Sequence, residues 1–119
     1  MNSLKIASFV QGLARETLAG NVKWYETEGS AFATDVKSVQ VAIDFNETGA
    51  FDELDYILTF TKMPDNIHII TVTDVDLKGA LSNAYGVMQG LYNNARLQAL
   101  GLDTLLDEVL DEFDDDIPF

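Results

Sequence analysis

The apolar residues of this chain change their spacing twice, and that double switch limits the folds open to it. From residue 3 to 19 the spacing is helical. Ile6, Phe9, Val10 and Leu13 fall at i, i+3, i+4 and i+7, with Ser3 placed to cap the helix and Gly20 to stop it. From Val22 to about Val75 the pattern becomes short β-rich runs: Val22–Thr27, Ala31–Val36, Ser38–Phe45, Tyr56–Lys62 and Ile67–Thr73. Glu28-Gly29-Ser30, Asn46 to Gly49 and Pro64-Asp65-Asn66 punctuate them. Val39, Val41, Ile43 and Phe45 alternate with polar or small residues, as a half-buried strand does, and the short connections favour an antiparallel meander. Helical spacing returns at Asp76. Leu77, Leu81, Ala84, Tyr85, Met88, Leu91, Tyr92 and Ala95 form one stripe that predicts a single long helix ending at Gly101. A second helix follows near Asp103, with Leu102, Leu105, Leu106, Val109, Leu110 and Phe113 on one face and Asp107, Glu108, Asp111 and Glu112 on the other. Strands and helices are segregated along the chain, so the expected class is α+β: an N-terminal helix, about five strands in an antiparallel meander, and two C-terminal helices. Residues 1–113 read as one domain and 114–119 as an exposed acidic docking tail.

Charge narrows the function. Twenty acidic residues against seven basic ones give a formal net charge of -13. Binding nucleic acid directly means displacing phosphate counterions with Lys and Arg, and few are on offer here. Such a field repels DNA and attracts basic partners. With 119 residues and 47% hydrophobic content the chain can bury one modest core. It has no cysteine, and no apolar run approaches the roughly 20 residues of a membrane span. The start, Met1-Asn2-Ser3-Leu4-Lys5, lacks the pattern of a signal peptide, so the expectation is a cytoplasmic protein with no membrane partner.

The most specific feature is the tail. The sequence closes Asp111-Glu112-Phe113-Asp114-Asp115-Asp116-Ile117-Pro118-Phe119, and no Lys or Arg follows Arg96. Three successive aspartates repel one another at a helix C-terminus, the wrong end for negative charge, and Pro118 disfavours helical geometry at Ile117. The helix should therefore fray by about Phe113 and leave a short extended peptide. Asp114, Asp115 and Asp116 would then offer charge to a basic rim, Ile117 and Phe119 apolar area, and the α-carboxylate of Phe119 a partner for a bidentate Arg.

Phe113-Asp114-Asp115-Asp116-Ile117-Pro118-Phe119 resembles the C-terminal tip of bacterial single-stranded DNA-binding protein. The resemblance covers under a tenth of the chain. It implies that the tip binds the exonucleases, helicases, recombination mediators and clamp-loader components that recognise such tips. It also implies that Phe119 and its carboxylate enter a pocket with a basic residue, that Pro118 and Ile117 pack beside them, and that Asp114 to Asp116 meet a basic rim. The body departs from that family, which pairs an OB-fold core with a long Gly/Gln/Pro-rich linker. The expected function is thus a non-enzymatic adaptor or decoy for DNA repair, replication and recombination proteins, of a kind that favours a phage origin. The alternatives are an acidic DNA mimic and a diverged single-stranded DNA-binding protein.

Other candidates read more simply as structure. Trp24, Tyr25 and Phe32 could stack bases, but only Lys23 accompanies them, so core packing is favoured. His68 lies in the apolar run Ile67-His68-Ile69-Ile70 with no further ligand at metal spacing. Asp52, Glu53 and Asp55 precede a strand, and Asp74 or Asp76 is placed to cap the following helix. Gly79, Gly86 and Gly90 suit a close helix or homodimer contact. No catalytic motif, metal site or cofactor site is expected.

Overall fold

A computed structural model describes residues 3–48 and 53–113. Helix α1 (Ser3–Leu18) is followed by β1 (Tyr25–Glu26), β2 (Phe32–Val36), β3 (Val39–Thr48), β4 (Glu53–Lys62) and β5 (Ile67–Thr73). A short helix α2 (Asp74–Leu77), then α3 (Ala84–Ala99) and α4 (Leu102–Phe113), complete the described residues. The strands lie in chain order, each antiparallel to the next, which is the expected meander of an α+β protein. It is an open sheet in simple succession, not the Greek-key barrel of an OB fold.

One face of this sheet is apolar. Phe32, Ile43, Leu58 and Val72 lie in register across four strands and are all buried. Beside them run Thr34, Val41, Phe60 and Ile70. A meander can hide such a face only under a second layer, here α1 and α3. Phe9 of α1 meets Phe60 with ring centroids 5.7 Å apart. Tyr92 of α3 gathers three rings around its own: Phe32 at 5.6 Å, Phe45 at 5.4 Å and Tyr56 at 5.8 Å. Its hydroxyl donates to the Ser30 carbonyl at 3.0 Å. Burial, with the nearby Asp44 carboxylate, pushes the Tyr92 phenol above its ordinary pKa. Trp24 ties the two helices together, its indole Nε1–H donating to Thr17 Oγ1 (3.0 Å) and its backbone N–H to Gln98 Oε1 (2.6 Å).

Several local expectations need correcting. The helical stripe from Asp76 is two helices, not one. Its apolar members Leu77, Leu81, Ala84, Met88, Leu91 and Ala95 are all buried, but the backbone turns between Lys78 and Asn83. Gly79, Ser82 and Asn83, poor helix formers, fall in that turn. Tyr85, expected in the stripe, is 42% exposed. The cap of α2 is Thr73, not Asp74 or Asp76. Thr73 Oγ1 accepts from the Asp76 N–H at 3.2 Å and Asp76 Oδ2 from the Thr73 N–H at 3.0 Å, a reciprocal capping box. Asp74 is instead buried, with Oδ1 accepting from the Tyr56 N–H at 2.9 Å. Glu53 and Asp55 lie inside β4 rather than before it, and Asp52 falls outside the described residues. The expected strand Val22–Thr27 pairs only at Tyr25–Glu26.

Two results are expected from chemical denaturation. Tyr92→Ala should cost about 3–5 kcal/mol and Tyr92→Phe about 1 kcal/mol, separating the ring from the hydroxyl. A Cβ added at Gly90 meets nothing within 4 Å, so Gly90→Ala should raise stability by roughly 0.5–1 kcal/mol. A loss at Gly90 would mean that this position is covered by something other than the chain itself.

Candidate functional site

The docking residues expected from sequence, Asp114, Asp115, Asp116, Ile117, Pro118 and Phe119, lie outside the described residues. Helix α4 leads to them in the sequence. Helix α3 ends at Ala99, and Gly101 adopts φ 71°, a left-handed conformation that ends one helix and redirects the chain. Its N–H donates to the Gln98 carbonyl (3.1 Å) and its carbonyl accepts from the Leu105 N–H (3.0 Å). Gly101 therefore closes α3 and opens α4 at once.

Among the described residues nothing closes over the apolar face of α4. Leu105 is 53% exposed and Leu106, Val109 and Leu110 between 43 and 47%, and every residue from Thr104 to Glu112 is open to solvent. Along the helix these side chains form one arc with Leu102. Asp107 borders it on one side, Glu108 and Glu112 on the other, with Asp111 opposite, and the last turn has no basic residue. Nothing in the sequence spacing separates a helix face packed on its own body from one left bare. The clue available was charge: an apolar stripe hemmed by acids, in a segment with no cation after Arg96.

The other candidates divide. Trp24 and Phe32 are core residues, as expected, whereas Tyr25 is 39% exposed and belongs to the surface. Its hydroxyl donates to Asp35 Oδ1 (3.0 Å) and accepts from Gln40 Nε2 (2.9 Å). It lines an open cleft of about 550 Å³ with Lys23, Lys37 and Asp35. A single ring beside two cations and a carboxylate is a poor platform for stacked bases and phosphates. His68 is exposed on the edge strand β5, its Nε2 2.8 Å from Thr71 Oγ1. Among the described residues no group of three or more His, Asp or Glu is placed to hold a metal, and no helix is long and apolar enough to cross a membrane. Comparison with protein-family models, curated proteins and solved structures returns no match to this chain.

Stability measurements should separate the two kinds of leucine. Leu91→Ala, in the core, should cost about 2–5 kcal/mol, whereas Leu106→Ala should change the unfolding free energy of the body by less than about 0.5 kcal/mol. A large loss at Leu106 would show that α4 packs on its own domain.

Proposed function

We propose that the chain is a small, non-enzymatic adaptor or decoy that engages DNA-processing proteins through residues Asp114–Phe119. The observation that carries this reading is the run Phe113-Asp-Asp-Asp-Ile-Pro-Phe119, which is similar to the tip of bacterial single-stranded DNA-binding protein. Physical chemistry supports it independently. Ile117 and Phe119 would expose apolar area without benefit in a purely solubilising tail, and a proline at 118 disfavours helical geometry at Ile117. Aspartates next to an aromatic end suit a pocket with an apolar floor and a cationic rim. The remainder of the chain is compatible with a carrier: a sheet whose apolar face is occupied by its own helices, and a solvent-exposed helix leading to residue 114. A few contacting residues bury little area, so affinity of the tip should be about micromolar.

The net charge of -13 favours one other reading, a DNA mimic that blocks a nucleic-acid-binding surface with distributed carboxylates. Fluorescence-polarisation competition distinguishes the two. A labelled single-stranded-DNA-binding-protein tip peptide is bound to bacterial exonuclease I, and the intact chain or the chain lacking Phe119 is titrated in. Displacement by the intact chain alone is the expected result. Displacement by both, abolished mainly by salt, would transfer support to the mimic, and displacement by neither would overturn the docking reading.

A further inference from the structure

We infer that the leucine stripe of α4 is a second docking element, seated in an apolar groove rimmed by Lys and Arg on the same partner that takes residues 114–119. The inference rests on the docking reading of those residues, and its evidence is separate. A helix of 12 residues is marginal in water unless its apolar face is covered, and among the described residues nothing covers that of α4. The charge distribution selects the cover. Asp107 borders the stripe on one side and Glu108 and Glu112 on the other, so whatever closes over Leu105, Leu106, Val109 and Leu110 brings its own rim against carboxylates on both flanks.

A second copy of this chain would bring like charges together along both flanks, on chains that each carry -13. Area argues the same way. A 12-residue helix is about 18 Å long and about 10 Å wide, so one face offers a few hundred Å² at most, against roughly 800 Å² per partner in a stable complex. An anionic membrane surface is repelled for the same reason that an acidic copy is, since surface-lying helices use Lys and Arg on their polar side. A groove of limited area with a basic rim fits both the charge and the size, provided that another contact shares the work. Residue 114 follows directly on the last residue of α4, so a partner gripping the tip meets the stripe at high effective concentration.

The test compares three ligands for exonuclease I: the intact chain, the double variant Leu106→Ala/Val109→Ala, and a synthetic peptide of residues 113–119. Alanine preserves helix propensity while removing apolar area, and circular dichroism checks that the variant keeps its helix content. The expected result is that the intact chain binds at least about tenfold more tightly than the peptide, and that the double variant falls back towards the peptide's affinity. Equal affinities for chain and peptide would overturn the helix inference and leave the tip reading standing. Failure of all three to bind would remove the tip reading and this inference with it. Sedimentation as a dimer that the double variant dissociates would assign the stripe to a second copy instead.

Discussion

Tyr92 occupies the point on which both layers of this protein converge. A five-stranded meander offers its apolar face to whatever can cover it, but that face alone does not decide where a helix will rest. The Tyr92 ring is caught among Phe32, Phe45 and Tyr56, from three neighbouring strands, and this fixes the height and rotation of α3 over the sheet. The hydroxyl then reaches the Ser30 carbonyl beyond the sheet's rim, so the same side chain sets the position along the strands. With α3 placed, Gln98 accepts from the backbone of Trp24, and the Trp24 indole finds Thr17 on α1. The two helices are thus referred to one another through a buried tryptophan with both N–H groups hydrogen-bonded, rather than through shape alone.

Much of this architecture is legible in the sequence because it follows from periodicity. The alternation of Val39, Val41, Ile43 and Phe45 and the helical spacing of Ile6, Phe9, Val10 and Leu13 each report which side of an element is covered, and the structure places those sides inward. The break between α2 and α3 was hidden because the apolar spacing runs straight across it. Leu77, Leu81 and Ala84 satisfy a continuous helix on paper, yet the core accepts Leu81 equally well from a turn, and glycine and asparagine make the turn the lower-cost path. The cap at Thr73 was obscured by two neighbouring aspartates, one of which is drawn inward by the Tyr56 amide. Periodicity identifies an apolar face but not what covers it, and the same pattern serves a core and a surface.

Electrostatics divides the chain more sharply than fold does. All the cations lie at or before Arg96, and beyond it the sequence carries carboxylates alone. Such a gradient gives the molecule an oriented field, so an approaching basic surface is steered towards the C-terminal segment before any contact forms. The described candidates for direct chemistry are occupied or isolated by comparison. The Tyr25 hydroxyl is already engaged by Asp35 and Gln40, and His68 has Thr71 beside it, with no cluster of metal ligands among the described residues. What the surface does offer without satisfaction is apolar area edged with negative charge.

Gly101 gives this arrangement a consequence for how the protein can change over generations. One left-handed residue turns the chain from a densely packed body into a helix whose leucine side chains stand half in solvent. Substitutions along Leu105, Leu106, Val109 and Leu110 escape the volume constraints that govern Leu91 or Met88, so they can accumulate without endangering the fold. The body, conversely, can be replaced or remodelled while the arm is kept. A joint of this kind makes the two parts separately heritable designs, free to be recombined with other bodies wherever a glycine can end a helix.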